Sequence, residues 1–177
     1  LKALYEFEIL DTKAEKAYDD LTRLATYICR TPIAAITLID SDRQWFKSRI
    51  GIAVAETSRD IAFCAHAITE SGILVVPDAL EDERFRDNPL VTDEPKLRFY
   101  AGAPITTSGG YKLGTLCVID TIPRQLSDGQ LAALKVLGRQ VRSQMELRRE
   151  NRELSAKIAE LEHNTGEKTK EFHITDI

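Results

Sequence analysis

The sequence predicts an α+β fold: an antiparallel sheet with helices on one face and a ligand pocket on the other, followed by a long C-terminal coiled-coil helix. Three features predict it. The stretches Ala35–Asp40 and Leu113–Asp120 are apolar and β-branched, as strands covered on both faces are. Turn signals at Ser41-Asp42 and Ser108-Gly109-Gly110 place each of these strands in a hairpin. Beyond Ser127 an apolar stripe continues at helical spacing from Leu131 to Leu161. Side chains alternate across a strand, so Thr115, Cys117 and Ile119 share one face and Leu116 and Val118 the other. The matching endings Thr37-Leu-Ile-Asp40 and Cys117-Val-Ile-Asp120 put Ala35, Thr37 and Ile39 on the first kind of face, and Ile36 and Leu38 on the second. The first face is small and weakly polar and leaves room for a ligand. The second is bulky and suits helix packing.

Taken in order, residues 1–9 place Leu1, Leu4, Tyr5 and Glu8 at helical spacing, predicting a short amphipathic helix that Asp11-Thr12 interrupts. Ala14–Cys29 predicts a second helix, with a buried stripe at Ala17/Tyr18, Leu21, Leu24/Ala25 and Ile28; Cys29 at its end suits a small core position. Pro32 opens the first strand, Ile33–Asp40. Gln44–Ile50 alternates Trp45, Lys47 and Arg49 against Phe46, Ser48 and Ile50, a hairpin strand with one face wetter than the other, ended by Gly51. Thr57–Ile68 predicts a short helix capped by Ser58 or Asp60, with Ile61, Cys64 and Ile68 on its apolar face. Leu74–Val76 is a short strand stopped by Pro77. Residues 78–98 are charged, with Leu80 and Phe85 as apolar anchors, and a long excursion of that kind is a lid or binding loop. Phe99–Thr106 and Leu113–Asp120 form the last hairpin.

Ser127 and Gln130 match a capping box and open the long helix. Leu134, Leu137, Val141 and Met145 carry its first stripe; Leu147, Asn151, Leu154, Ile158 and Leu161 follow at the four-three spacing of coiled-coil a and d positions. These residues, Met145 excepted, are expected to pair two copies of the chain. Asn151 at an a position favours a parallel, in-register homodimer. The expected organisation is a globular domain over residues 1–126, a dimerising helix over 127–163, which Asn164-Thr-Gly-Glu ends, and a weakly structured tail over 164–177.

Composition narrows the function. Of 177 residues, 43% are hydrophobic and 29% charged, ordinary for one globular domain with an added element. A net charge of −4 gives neither a nucleic-acid footprint nor a polybasic membrane anchor. No apolar run approaches the ~20 residues of a membrane span. Three widely spaced cysteines are not a disulfide framework, so a reducing cytoplasm is expected. The chain begins at Leu1 and its only methionine is Met145, which suggests a piece of something longer.

The element order, together with DRQWFKSRIG, RDIAFCAHAI, VVPDA, DERFRDNPLV, RFYAGAPI and LGTLCVID, resembles a GAF domain over about residues 1–145. It is similar to the GAF domains of bacterial signalling proteins that precede histidine kinase or cyclic-dinucleotide output domains. The resemblance implies a small-molecule pocket on one sheet face and dimer-forming helices on the other.

Candidate site residues follow from position. Thr37, Thr115 and Cys117 lie on the roomy face, with Tyr100 on the neighbouring strand. Arg59 and Asp60 stand at the mouth of the short helix, and Arg84 and Phe85 come from the lid. Cys64 and His66 pair a thiol with an imidazole, a constellation that can serve as nucleophile, chromophore anchor or metal pair. On a helix, however, residues two apart point about 200° from each other. Three chemistries known in GAF domains can be set against the sequence. Attachment of a bilin uses a cysteine, often beside a histidine, in the excursion after the middle strand; residues 79–98 have neither, so a bilin is not expected. Free methionine sulfoxide reductases place a catalytic cysteine in the same lid, again missing here, although Cys64 could match another of their cysteines. A haem needs an axial ligand, and His66 is the one histidine before the long helix; haem is possible but not indicated. No phosphoacceptor histidine motif is visible, so any kinase or cyclase activity lies outside this chain. The expectation is therefore a non-enzymatic sensory domain. It senses a small molecule of unknown identity, or redox state through Cys64, and signals through a dimeric helix to a covalently linked output domain, as in a two-component system. The alternatives are a sulfoxide-reductase-like enzyme and a ligand-free dimerisation module.

Overall fold

A computed structural model describes residues 1–172. Its elements are α1 (Lys2–Tyr5), α2 (Lys16–Cys29), β1 (Ile33–Ile39), β2 (Arg43–Ile50), β3 (Glu56–Ser58), α3 (Phe63–Ala67), β4 (Leu74–Val76), α4 (Pro89–Thr92), β5 (Phe99–Thr106), β6 (Lys112–Asp120) and α5 (Asp128–Phe172). The six strands form one antiparallel sheet in the order β3-β2-β1-β6-β5-β4. The two apolar strands of the sequence, β1 and β6, are its central pair.

The two-faced reading of these strands holds. Ile36, Leu38, Leu116 and Val118 pack with α2 and α5 in one buried cluster. Ala35, Ile39 and Cys117 join a second cluster under α3 and the lid, with Phe46, Phe63, Phe85 and Tyr100. The matching strand ends play matching parts. Asp40 Oδ1 accepts the Ser41 amide at 2.8 Å while its Oδ2 takes Arg43 Nε at 3.2 Å. Asp120 Oδ1 accepts the Thr121 amide at 2.7 Å, and its Oδ2 pairs with Arg124. Gly114 is required where β6 meets β1, because a Cβ there would stand 1.8 Å from the Thr37 carbonyl oxygen.

Several elements differ from expectation. The first helix is only one turn long. Glu8 and Asp11 adopt left-handed backbone (φ 44° and 58°), which breaks the helix and lets Phe7 and Ile9 drop into the core. On α2 the buried stripe is Tyr18, Thr22, Ala25 and Cys29, while Leu24 is exposed. Thr22 tolerates burial because its hydroxyl is satisfied by the Tyr18 carbonyl (3.0 Å) and Ser48 Oγ (2.8 Å). The simple alternation along β2 fails. A bulge opposite Ile36/Thr37 turns Ser48 onto the α2 side with Trp45, away from Phe46. Lys47, expected on a wetter face, has no exposed side-chain surface. The predicted helix over 57–68 is edge strand β3, a 3₁₀ turn (Arg59–Ile61) capped by Ser58, and α3.

The capping box forms as predicted: Ser127 Oγ accepts the Gln130 amide at 3.3 Å and Gln130 Oε1 accepts the Ser127 amide at 3.0 Å. Gln130 Nε2 also donates to the Ile28 carbonyl, tying α5 to the end of α2. The dimer expectation needs correction in its first half. Leu134, Leu137 and Val141 are buried against this chain's own sheet, with Met145, and cannot face a partner. Leu147, Leu154, Ile158 and Leu161 are 48–66% exposed, and Asn151 is exposed beside them. The helix also passes its expected end, running to Phe172. Gly166 costs a helix only about 1 kcal/mol, and the surrounding Glu and Lys residues are good helix formers. Residues 173–177 of the expected tail lie outside the described residues.

Candidate functional site

On the face of the sheet opposite α5, a cavity of about 260 Å³ lies between the sheet, α3 and the lid. The sheet supplies its floor. Thr37 comes from β1, Gln44 and Phe46 from β2, Tyr100 from β5, and Cys117 and Ile119 from β6. Phe63 and Cys64 enter from α3, Ile52–Val54 from the loop after β2, and Leu90, Pro95 and Leu97 from the lid. The cavity is built from apolar side chains around one compact polar cluster. Tyr100 Oη donates to Cys64 Sγ at 3.3 Å and lies 3.5 Å from Thr115 Oγ1. Thr37 and Thr115 hydroxyls meet at 3.1 Å across the β1–β6 seam. Cys64 Sγ sits 3.8 Å from Cys117 Sγ, which in turn points to the Ala35 carbonyl at 3.6 Å.

The electrostatics separate the two thiols. Burial disfavours the Cys64 thiolate. The groups converging on its sulfur (Cys117, Thr115, Thr37 and Tyr100) outweigh that and draw the thiol below its ordinary value. Cys117, whose proton is held by Cys64 and by burial, is pushed the other way, as is the buried Tyr100 phenol. Cys29 lies on the opposite side of the sheet, and burial alone pushes it up to about 11.

Of the residues the sequence singled out, Thr37, Cys64, Tyr100 and Cys117 line the cavity and Thr115 lies directly behind them. Phe85 is fully buried and stacks flat on Phe63, ring centroids 4.1 Å apart, so it backs the wall. The other four are not at the site. Arg59 Nη1 donates to the Asp40 carbonyl at the sheet edge, and Asp60 is exposed. Arg84 is exposed and held by Asp82 (2.7 Å) and Glu70 (3.5 Å). His66 lies on the outer side of α3, its ring edge-on to Phe85 at 4.9 Å, so Cys64 and His66 diverge as helical geometry requires. Sequence reasoning missed Gln44, Phe46, Phe63 and the residues of the 52–54 loop. Gln44 and Phe46 alternate with Trp45 and were within reach of a face argument; the others needed the tertiary path of the chain. The lid is anchored by Asn88, which caps α4 through the Leu90 amide (2.9 Å) and donates to the Ile61 carbonyl (3.0 Å).

The sequence profile of the GAF domain matches residues 13–145. The chain belongs to the GAF family. A cyclic di-GMP phosphodiesterase of Pseudomonas aeruginosa is 45% identical over 134 residues, which make up 75% of this chain and 23% of the enzyme. The chain thus spans about a quarter of the length of that relative. Among solved structures, the GAF domain of an Acinetobacter phosphoenolpyruvate-protein phosphotransferase superposes with a TM-score of 0.63 at 17% identity, covering 82% of this chain and 91% of that one. A free methionine-R-sulfoxide reductase of Neisseria meningitidis, solved with its substrate, gives 0.62 at 14% identity over 82% and 87%. At these identities the structural neighbours establish the fold alone. Among the described residues, no helix of this GAF domain is long and apolar enough to cross a membrane.

Proposed function

We propose that this GAF domain is the sensory part of a cytoplasmic signal-transduction protein. It binds a small molecule in the cavity under its lid and passes the result through a paired α5 to a covalently linked output domain. One observation carries this reading. The cavity and α5 occupy opposite faces of the same central strands, β1 and β6, so whatever alters the packing of one face is felt on the other. The ligand favours one of two packings of the helices, and the paired helix transmits that bias. Kinship with the Pseudomonas phosphodiesterase supports an output acting on cyclic di-GMP, ahead of a histidine kinase.

Homodimerisation rests on Leu147, Leu154, Ile158 and Leu161, exposed at a and d spacing beyond the domain core, with Asn151 favouring a parallel register. The domain itself is assigned no catalysis. The lid, residues 78–98, offers no cysteine to act as a sulfoxide-reductase nucleophile, and both cavity thiols come from α3 and β6. Nor do the residues suit a tetrapyrrole. The lid has no attachment cysteine, and His66 faces away from the cavity.

Native mass spectrometry tests the reading. The purified chain should run as a dimer, and Leu154→Lys/Ile158→Lys as a folded monomer. A monomeric wild type overturns the relay. Redox sensing is a second reading, favoured by the 3.8 Å between the Cys64 and Cys117 sulfurs. A peroxide would convert the Cys64 thiol to a sulfenic acid with release of one water. The Cys117 thiol would then displace a second water to form the disulfide. Intact mass after peroxide treatment should show the loss of two hydrogens, absent in Cys117→Ser. An unchanged wild-type mass would eliminate that branch.

A further inference from the structure

A second concave site lies on the other face of the sheet from the lid cavity, in a groove between α5 and β5. Gly138 lets α5 come down onto β5 there, since a Cβ at that position would stand 3.3 Å from the Ala103 Cβ. Lys135, Arg139 and Arg142 line the groove from α5, and Lys112 lines it from β6. Its other polar side chains, Ser71 and Thr106, are hydroxyls that can donate a hydrogen bond, and neither a carboxylate nor an amide side chain is present in the lining. The chain as a whole has a net charge of −4, so this groove runs against its overall balance.

Elsewhere the protein pairs its cations. Arg43, Lys47, Arg84, Arg124 and Arg148 each meet a carboxylate. The cations of the groove do not. Lys135 and Arg139 are exposed and have no hydrogen-bond or ion-pair partner among the described residues. Arg142, with 36% of its side chain exposed, has Glu146 at 3.8 Å, too long for a hydrogen bond. Lys112 is half-buried and donates to the Glu70 carbonyl, which carries no counter-charge. All four side chains keep surface that a solute can reach.

Helical geometry sets the spacing. Lys135, Arg139 and Arg142 follow one another at i+4 and i+3, so they share one side of α5 and rise about 10 Å along its axis. Like charges at these spacings destabilise a helix, and an anion laid across them relieves the repulsion. Phosphoryl oxygens of an anionic phosphate accept without donating, and the arginine fork takes two of them at once. One phosphate reaches only part of a 10 Å row, so linked phosphoryl groups match it better. We propose that the groove between α5 and β5 binds a small molecule carrying two or more linked phosphoryl groups, held by Lys135, Arg139 and Arg142 on one wall and Lys112 on the other. The site goes beyond the sensory reading above and does not depend on what the lid cavity holds. An anion there ties α5 to the β5–β6 hairpin, on the helix that leads out of the domain.

Calorimetric titration of the whole chain at low salt with inorganic triphosphate, ATP and hexaglutamate tests this. Triphosphate and ATP should both bind; tighter binding of ATP identifies a nucleotide, and equal binding identifies the phosphates alone as the determinant. Hexaglutamate should bind at least about tenfold more weakly, because its carboxylates are spread along a flexible chain. Arg139→Gln/Arg142→Gln should weaken triphosphate about a hundredfold, about tenfold for each charge-assisted contact removed. The control Arg23→Gln/Arg30→Gln removes the same charge from a groove at the end of α2 that also contains Asp120, and should change binding less than about twofold. Ala132→Trp, exposed at the rim, keeps every charge and should block the site. Thermal melts without ligand establish that each variant is folded. Equal weakening in the two double variants, unaltered binding in Ala132→Trp, no binding of triphosphate at millimolar concentration, or hexaglutamate binding as tightly as triphosphate, which would make the groove a dock for an acidic peptide, each overturns the inference.

Discussion

Glu15 joins the sheet to the long helix α5, and its neutralisation should be measurable. Its Oε1 accepts both Lys47 Nζ from β2 (2.7 Å) and Arg148 Nε from α5 (2.9 Å). Lys47 has no exposed side-chain surface; besides Glu15 it donates to Thr12 Oγ1 (2.8 Å) and the Lys13 carbonyl (2.7 Å). Glu15→Gln keeps the shape and removes the charge. Breaking a buried ion pair costs about 3–5 kcal/mol, and an exposed pair is worth about 0–1. Here the lysine is buried but keeps two neutral acceptors, and Glu15 is 39% exposed, so solvent screening brings the cost to about 2 kcal/mol. For a chain of this size that lowers Tm by about 4–8 °C. The pH dependence has a definite sign. Burial raises the Glu15 carboxyl, but Lys47 and Arg148 outweigh it and hold it below the usual carboxylate range. A depressed folded value gives stability that is complete above the unfolded value, about 4.3, and lost as pH falls through the folded one. Urea denaturation of both proteins should therefore show the full gap at pH 7 and a gap that narrows as pH falls below about 4.3. A gap under about 0.5 kcal/mol at pH 7, or one undiminished at pH 3, refutes the bridge.

Other consequences are simpler to read. Gly114→Ala would drive a Cβ against the backbone of Thr37 and Leu38 and force β1 and β6 apart, at or beyond the upper end of the ~1–3 kcal/mol typical of overpacking; a wild-type Tm in calorimetry would contradict the register. Ser127→Ala removes half of the capping box and should cost about 1 kcal/mol in urea denaturation. Iodoacetamide at neutral pH should label Cys64 before Cys117 and Cys29, because only Cys64 lies in the cavity with a lowered thiol value; peptide mapping that finds Cys29 labelled first would reverse that order.

Much of the fold was legible because period-two alternation and turn chemistry are local. The two-faced pattern of Ala35–Asp40 and Leu113–Asp120 located the pocket side and three of its lining residues, Thr37, Cys117 and Ile119. The expected contacts of Arg59, Asp60, His66 and Arg84 failed for a common reason. A polar side chain near a pocket in sequence settles on whichever partner the tertiary structure brings closest, here Asp40, Asp82, Glu70 or solvent.

The sequence by itself determined five of the six strands, the capping box, the small weakly polar face and the family, since each is written in periodicity and residue type within a few positions. Only the tertiary structure decided where the apolar stripe of α5 divides. Leu134, Leu137 and Val141 carry the same spacing as Leu154 and Ile158, and hydrophobic burial is non-directional, so a stripe does not say which surface covers it. It likewise decided that a bulge in β2 sends Lys47 and Ser48 toward α2, and that Gln44 joins the cavity wall. Register and pairing are properties of two segments at once, and neither segment encodes them alone.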